Sequence, residues 1–340
     1  MSHALPTVAH TDSSTLTRKD LTSDQEVRWC PGCGDYSILA QVQRMLPTLG
    51  IPRENFMVVS GIGCSSRFPY YMETYGMHSI HGRAPAFATG IKAARPELSV
   101  WIATGDGDSL SIGGNHFMHI LRRNVDVNIL LFNNQIYGLT KGQYSPTSET
   151  GKRTYSSPVG SIDYPVEPVQ VALGSSATFV ARVLDVDAKH FQEMLQRAAD
   201  HEGASLVEIL QNCPIYNDGA FLSLSDKKKR PDNAIYLRNG ERMVFGADGD
   251  KGLAWDSCMD WKVVGADDDA VLVHDETNVM QALALSRISG EGMPKPLGVI
   301  YAVERPSYDR LLNEQVKAQR QAKGGTLQEL LESGGTWTVE

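Results

Sequence analysis

Two short polar segments follow apolar runs that are typical of buried β-strands. Gly105-Asp106-Gly107-Asp108 comes after the run at 98–104, and Asn133-Asn134-Gln135-Ile136 comes after the run at 127–132. Glycine lets a backbone approach a phosphate closely, and Mg²⁺ is commonly held by one or two protein oxygens together with substrate phosphates. The pattern predicts a magnesium–phosphate site, although the same residue types also favour ordinary strand-end turns.

Four cysteines form a second group. Cys30 and Cys33 make a C-x-x-C segment on a Gly/Pro turn, whereas Cys64 and Cys213 each follow an apolar run. Four thiolates meeting at one edge of a sheet suit a tetrahedral zinc ion or a [4Fe–4S] cluster. A thioredoxin-like pair is less favoured because it needs neither Cys64 nor Cys213. Ordinary burial is the alternative for these two, and we expect the fifth cysteine, Cys258, to be a spare.

Apolar strands that alternate with amphipathic helices must position these residues. This alternation predicts an α/β fold, with a mostly parallel sheet covered by helices on both faces. Such sheets bind ligands outside the carboxyl ends of their strands, where the polar segments fall. The predicted strands are 56–60, 98–104, 127–132, 178–184, 206–210 and 297–303. The predicted helices are 36–49, 84–95, 109–123, 167–173, 188–199, 276–289 and 307–322.

Length and composition are those of an ordinary globular protein. The chain has 340 residues, of which 41% are hydrophobic and 21% charged, and its net charge is −8. This charge argues against nucleic-acid binding. No apolar run is long enough for a membrane span, and the polar N-terminus does not resemble a secretory signal. A cytoplasmic location is therefore expected. We divide the chain into a flexible N-terminal arm (1–26), an α/β domain (27–220) and a C-terminal extension (221–340) that packs on the core or on a partner subunit.

Six ordered segments resemble the β subunits of the 2-oxoacid:ferredoxin oxidoreductases, most of all those of the 2-oxoglutarate type. The segments are WCPGCG, GIGCSSR, IHGRAPAFATGIK, GDGDSLSIGGNH, LFNNQIYGLTKGQYSPTS and NCPIYND. The resemblance is dense over about residues 25–220 and looser beyond them. It implies a thiamine-diphosphate-binding α/β fold.

The resemblance also implies a role for individual residues. The implied [4Fe–4S] ligands are Cys30, Cys33, Cys64 and Cys213, and the implied Mg²⁺ ligands are Asp106, the Asn134 side chain and the Ile136 carbonyl. The residues expected to bind thiamine diphosphate are Ile62, Gly63, Cys64, Ser65, His81, Gly105, Asp106, Gly107, Asp108, Asn134, Tyr137, Gly138, Leu139 and Thr140.

The implied reaction is the oxidative decarboxylation of 2-oxoglutarate with coenzyme A, which gives succinyl-CoA and CO₂. Decarboxylation leaves an electron-rich species that must lose two electrons, so an iron–sulfur cluster beside the coenzyme makes chemical sense where a structural zinc does not. The electrons would pass to ferredoxin, and the reaction would be reversible. The resemblance further implies a larger α subunit, an αβ unit that often doubles to α₂β₂, and a β chain that is inactive alone.

Two residues are predicted to act on the substrate or coenzyme. His81 precedes a predicted helix and is expected to make a polar contact to one of them, although a histidine satisfied by the backbone is the alternative. Lys141 lies just past the predicted metal loop, where its charge would pair with the distal carboxylate of 2-oxoglutarate. The alternative for Lys141 is an ordinary solvated lysine.

The remaining alternatives concern the partner and the reaction. The basic run Lys227-Lys228-Lys229-Arg230 is either a solvated loop, which we favour, or a docking site for an acidic ferredoxin. Pyruvate or a branched-chain 2-oxoacid is the second choice of substrate. A non-redox thiamine decarboxylase with structural zinc and a non-catalytic scaffold are the other readings.

Overall fold

The structure is a computed structural model, and it describes residues 16–339. The helices in this part of the chain are α1 (Asp35–Met45), α2 (Ala84–Ala94), α3 (Asp106–Leu110), α4 (Gly114–Arg123), α5 (Pro168–Gly174), α6 (Ala188–Asp200), α7 (Leu222–Ser225), α8 (Arg230–Asn233), α9 (Val279–Ser286), α10 (Tyr308–Lys323) and α11 (Leu327–Glu332). The strands are β1 (Phe56–Ser60), β2 (Tyr75–His78), β3 (Ser99–Gly105), β4 (Val127–Asn133), β5 (Phe179–Leu184), β6 (Ala204–Leu210), β7 (Ala234–Tyr236), β8 (Val244–Phe245), β9 (Lys251–Trp255), β10 (Trp261–Gly265) and β11 (Lys295–Ala302).

The main sheet in the described residues has eight strands in the order β2-β1-β3-β4-β6-β5-β11-β7. The first six strands in this order, from β2 to β5, run parallel to one another. Strand β11 is antiparallel to β5, and β7 is parallel to β11. The carboxyl ends of β1, β3, β4 and β6 therefore meet at one edge. The mostly parallel α/β fold predicted from the sequence is confirmed.

The sheet buries apolar side chains on both faces. Along β3, Val100 and Ile102 pack with helices α2, α4, α5 and α9, whereas Trp101 and Ala103 pack on the opposite face with α1 and α6. This alternation follows from the two-residue period of a strand, and burial on both faces explains why the strands are nearly continuous apolar runs.

The structure divides one predicted helix and adds strands that the sequence pattern did not indicate. The helix predicted over 109–123 is interrupted between α3 and α4 at 111–113, where Gly113 disfavours a helix. The edge strand β2 is largely exposed and lacks apolar alternation, so it gave no signal. Strands β8, β9 and β10 form a small antiparallel sheet that is built from short segments.

The predicted arm and the predicted C-terminal extension each contribute residues to the core. Residues 1–15 of the predicted arm lie outside the described residues. Farther along the arm, Leu21 is fully buried, and its carbonyl accepts the backbone N–H of Glu73 at 3.0 Å. β7 and β11 join the main sheet, so this sheet crosses the boundary that we predicted at residue 220. Within residues 16–339, no helix combines the length and the apolar character that a membrane span requires.

Candidate active site

A cleft opens at the carboxyl ends of β1, β3 and β4. It holds about 490 Å³, including its open mouth. Every residue predicted above to bind thiamine diphosphate lines it, as do Ile136 and, in addition, Phe132. Because β3 and β4 are adjacent parallel strands, they bring Asp106 and Asn134 to the same cleft.

Asp106 is buried at the start of α3, and hydroxyl groups from a later loop hold it. Its Oδ2 accepts hydrogen bonds from Ser145 Oγ at 2.5 Å and from Thr147 Oγ1 at 2.6 Å. Burial raises the pKa of the Asp106 carboxyl to about 6, and the hydroxyl donors act in the opposite direction. A divalent cation beside this carboxylate would favour its charged form, so the group fits a metal ligand.

Asn133 does not line the cleft but anchors its floor. Thr147 Oγ1 donates to Asn133 Oδ1 at 3.0 Å, and Asn133 Nδ2 donates to Glu208 Oε1 at 2.7 Å. Glu208 is in turn paired with the fully buried guanidinium of Arg182 at 2.7 Å. The loop after β4 thus rests on a buried ion pair in the middle of the sheet.

Asp108 ties three segments of the cleft together. Its Oδ1 accepts the backbone N–H groups of Ile62 at 3.1 Å and Gly82 at 2.8 Å, and its Oδ2 accepts the Thr104 hydroxyl at 2.8 Å. His81 Nδ1 lies 2.5 Å from Asp108 Oδ1. Because Nδ1 is buried against this carboxylate, Nε2 is the nitrogen of His81 that a bound ligand can reach.

The aromatic ring of Tyr137 covers the turn at Gly107. Its hydroxyl donates to the Gly107 carbonyl at 3.1 Å. A Cβ atom at position 107 would lie only 2.1 Å from the ring, so the position requires glycine. The second glycine of the GDGD segment is therefore explained by the close approach of Tyr137.

The amide of Asn134 has a defined orientation. Its Nδ2 donates to Gln211 Oε1 at 2.9 Å, and its Oδ1 accepts the backbone N–H of Ile136 at 3.2 Å. Nδ2 therefore points to the end of β6, while the oxygen lies at the loop that lines the cleft. An oxygen at this place suits a hard cation such as Mg²⁺.

The loops that carry the cysteines are tied to one another beside the cleft. Gly34 N–H donates to the Asn212 carbonyl at 3.2 Å, which links the C-x-x-C segment to the loop of Cys213. Trp29 Nε1 donates to the Cys64 carbonyl at 2.7 Å. We call Cys30, Cys33, Cys64 and Cys213 the thiol cluster.

The thiol cluster adjoins the cleft at Gly138. This glycine lines the cleft, and a Cβ atom there would lie 3.6 Å from Cys213 Sγ and 3.7 Å from Cys64 Sγ. Cys64 itself also lines the cleft. The two sites therefore share a wall.

The thiols of the cluster influence one another electrostatically. Burial raises the pKa of the Cys33 thiol, and the nearby Asp35, Cys213 and Cys64 raise it further. Burial likewise raises the pKa of Cys64 to about 12, with contributions from Asp35, Cys213 and Cys30. The thiols of Cys33 and Cys64 are therefore neutral near pH 7, and a metal that binds them must displace their protons.

The thiol cluster differs from the site of a single metal ion. Among residues 16–339, no three His, Cys, Asp or Glu side chains are close enough together to hold one ion. A tetrahedral zinc site requires four ligands at about 2.3 Å from one centre. A [4Fe–4S] cluster distributes its four thiolates over four iron atoms, so it does not require them to converge on one centre.

The other singled-out residues lie outside the cleft. Lys141 is exposed on the loop after Thr140, with a left-handed backbone (φ 76°). Lys227, Lys228 and Lys229 are exposed, but Arg230 pairs with Asp187 at 3.2 Å, so it is less accessible than the lysines.

The fifth cysteine lies in a different segment of the chain from those that form the cleft and the thiol cluster. Cys258 is exposed in the turn between β9 and β10, strands of the small antiparallel sheet.

The segment SPTS at 145–148 supports the cleft, although no role was predicted for it. Ser145 and Thr147 of this segment hold Asp106, and Ser148 Oγ donates to the Gln135 carbonyl at 2.6 Å. Gln211 was also missed, although its amide contacts Asn134. A cluster of hydroxyls shortly after the predicted metal loop was the only signal for the first group, and Gln211 gave none.

Comparison with known proteins agrees with this geometry. The protein-family model for the C-terminal TPP-binding domain of thiamine pyrophosphate enzymes matches residues 61–209. The 2-oxoglutarate oxidoreductase subunit KorB of Mycobacterium tuberculosis is 56% identical over 95% of this chain and 88% of that protein. The 2-oxoacid:ferredoxin oxidoreductase subunit beta of a Sulfolobus species is 39% identical over 86% of this chain and 87% of that protein.

A solved structure extends the similarity to the whole fold. A chain of the 2-oxoglutarate:ferredoxin oxidoreductase from Magnetococcus marinus, determined with 2-oxoglutarate, coenzyme A and succinyl-CoA bound, superimposes with a TM-score of 0.75. The match covers 94% of this chain and 97% of that chain at 33% identity. The chain is thus an oxidoreductase subunit with a thiamine-diphosphate-binding domain, and it belongs to the family of 2-oxoacid:ferredoxin oxidoreductase β subunits.

Proposed function

We propose that this chain is the β subunit of a 2-oxoglutarate:ferredoxin oxidoreductase. With an α subunit it would convert 2-oxoglutarate and coenzyme A into succinyl-CoA and CO₂ and pass the electrons to ferredoxin. The observation that carries this proposal is the wall shared by the cleft and the thiol cluster at Gly138 and Cys64. A coenzyme and an electron acceptor that adjoin in this way suit an oxidative decarboxylation.

The cofactors divide the chemistry between them. Thiamine diphosphate supplies an electron sink for the loss of CO₂, and a [4Fe–4S] cluster supplies a one-electron acceptor. Asp106, the Asn134 side chain and the Ile136 carbonyl would hold Mg²⁺ against the diphosphate, and the four thiolates of the thiol cluster would hold the iron. The chain itself contributes binding and orientation.

Individual residues of the cleft have distinct tasks in this proposal. Asp108 fixes the loops of Ile62 and Gly82 around the coenzyme through backbone hydrogen bonds. His81 presents Nε2 as a hydrogen-bonding group to the coenzyme or substrate. Lys141 pairs with the distal carboxylate of the substrate when the loop that carries it lies against the cleft.

The relatives support 2-oxoglutarate as the substrate. The Mycobacterium tuberculosis relative is named a 2-oxoglutarate oxidoreductase subunit, and the Magnetococcus marinus enzyme was solved with 2-oxoglutarate and succinyl-CoA bound. The name of the Sulfolobus relative supports a partner subunit, since a subunit called beta implies a second chain.

Anaerobic co-expression of the chain with its α subunit tests this function. The purified complex is expected to be brown, to contain about four iron and four sulfide per β chain, and to reduce ferredoxin with 2-oxoglutarate and coenzyme A. Assays with pyruvate and branched-chain 2-oxoacids are expected to give lower kcat/KM values. A complex without iron and acid-labile sulfide, or one that prefers pyruvate, would contradict the proposal.

A further inference from the structure

Gln211 lies between the two sites described above. It is the first residue after β6 and is 1% exposed. Its backbone N–H donates to the Asn133 carbonyl at 3.0 Å, which joins it to the end of β4. A Cβ atom at Gly34 would lie 2.7 Å from Gln211 Cγ, so the side chain is packed closely against the C-x-x-C segment.

The side-chain amide of Gln211 contacts a residue from each site. Its Oε1 accepts a hydrogen bond from Asn134 Nδ2 at 2.9 Å. Its Nε2 donates to Cys33 Sγ at 3.2 Å and to the Asn212 carbonyl at 2.9 Å. One buried amide thus connects a proposed magnesium ligand to a proposed cluster ligand.

The polarity of this amide orients Asn134. Because Gln211 presents an oxygen, Asn134 must turn Nδ2 toward it, and this leaves the Asn134 oxygen at the cleft. Hydrogen bonds of this kind behind a metal ligand fix its orientation, and removing one typically lowers metal affinity by about 10- to 100-fold.

The other end of the amide acts on a sulfur. An N–H donor stabilises negative charge on a thiolate, and reduction of a cluster adds negative charge. Hydrogen bonds to the sulfurs are among the factors that set the reduction potential of iron–sulfur clusters. Donation from Nε2 would therefore favour the reduced state and raise the potential.

We propose that Gln211 is a positioning residue that serves both cofactor sites. It directs the Asn134 oxygen toward Mg²⁺ and, through its N–H bond to Cys33, raises the reduction potential of the cluster. This inference rests on the proposed function, because it requires both cofactors.

Two substitutions separate the two roles. Gln211→Met keeps the approximate volume but removes both the acceptor and the donor. Gln211→Glu keeps an acceptor for Asn134 and removes the donor to Cys33. Gln43→Met is the matched control, since Gln43 is 2% exposed and donates instead to the Tyr71 carbonyl at 3.0 Å.

The measurements are made on the anaerobic complex with the α subunit. The midpoint potential of the cluster is followed by electron paramagnetic resonance, and Mg²⁺-dependent binding of thiamine diphosphate is followed by calorimetry. We expect a lower potential in both Gln211 variants and a dissociation constant for thiamine diphosphate about tenfold higher in Gln211→Met alone. The Gln43→Met variant is expected to match the wild type in both.

The outcomes distinguish this inference from the proposed function. An iron-loaded Gln211→Met complex with wild-type potential and coenzyme affinity would overturn the inference alone. If Gln211→Met does not assemble, an unchanged potential in Gln211→Glu would overturn the sulfur contact. A wild-type complex without iron and sulfide would instead overturn the proposed function, and the inference with it.

Discussion

The cleft and the thiol cluster share a wall, yet their polar groups are satisfied in different ways. In the cleft, Asp106 and Asp108 receive hydrogen bonds from hydroxyls and backbone N–H groups of the same chain. In the thiol cluster, burial raises the pKa of Cys33 and Cys64 and raises that of the neighbouring Asp35 to about 7. The cleft is built by internal hydrogen bonds, whereas the sulfurs of the thiol cluster would gain a strong partner only from the metal that we propose they bind.

This difference separates the requirements of the two sites. The cleft should bind its coenzyme whether or not iron is present, because its ligands are already oriented. Loading of the thiol cluster should release protons and become more favourable as pH rises, because iron competes with protons for the thiolates. The predictions below test whether the two sites are independent in this sense.

The largest effect is expected for Cys33→Ala. Loss of one thiolate should remove the cluster, its absorbance near 400 nm and ferredoxin reduction, while the affinity for thiamine diphosphate stays within about twofold, because the ligands of Mg²⁺ remain in place. Ultraviolet–visible spectra and calorimetry on the α-containing complex measure both. Cys258→Ala is the control and should keep its colour; equal losses in the two variants would refute the cluster assignment.

The converse is expected for Asp106→Ala. The variant should lose roughly 1,000-fold in activity, equivalent to about 4 kcal/mol, because a metal ligand is removed. Its iron content and colour should be unchanged. The exposed Asp269 offers a control, since Asp269→Ala removes a carboxylate of the same type. Loss of iron together with the coenzyme would show that the two sites depend on each other.

A smaller effect is expected for Thr147→Val, which removes the hydroxyl between Asp106 and Asn133. The Mg²⁺-dependent dissociation constant of thiamine diphosphate should rise by about 10-fold or more, as is typical for partners of a metal ligand. Calorimetry against Thr150→Val, an exposed threonine of the same loop, measures the difference. Equal affinities would mean that the hydroxyls do not preorganise the cleft.

Lys141→Ala tests the rim of the cleft rather than its floor. We expect the KM for 2-oxoglutarate to rise about tenfold, equivalent to about 1.4 kcal/mol of lost charge pairing, and the KM for pyruvate to change little. Lys189→Ala, at another exposed lysine, is the control. Equal changes for both substrates would exclude Lys141 from substrate selection.

The smallest effect is expected from the basic run Lys227-Lys228-Lys229-Arg230, which follows Cys213 in the sequence. Replacing Lys227, Lys228 and Lys229 by serine should lower the rate of ferredoxin reduction a few-fold, at low ionic strength only, if the run steers an acidic partner. Arg230 is left intact because it pairs with Asp187. Stopped-flow rates over a range of salt concentrations measure the effect, and an unchanged salt dependence would identify a solvated loop.

Apolar periodicity was sufficient to predict most of the central fold. The strands from β3 to β6 begin and end within two residues of their predicted positions, because each is a buried run with a sharp polar end. The edge strand β2 and the short strands β7 to β10 escaped prediction because none of them presents a buried apolar run as long as those of the central strands.

The sequence by itself determined which residues reach the cleft. Parallel strands that end in GDGD and NNQI must meet at one edge of the sheet, and the resemblance to a known family supplied their chemistry. The physical reason is that the strand period is local, and that strands joined by a crossover helix run parallel in the sheet.

Only the tertiary structure decided what supports these ligands. Ser145 and Thr147 reach Asp106 from about forty positions away, and Gln211 reaches Asn134 from 77 positions away. No periodicity encodes such contacts, because they depend on how a distant loop folds over the end of the sheet and on the volume left there by residues such as Gly34 and Gly107.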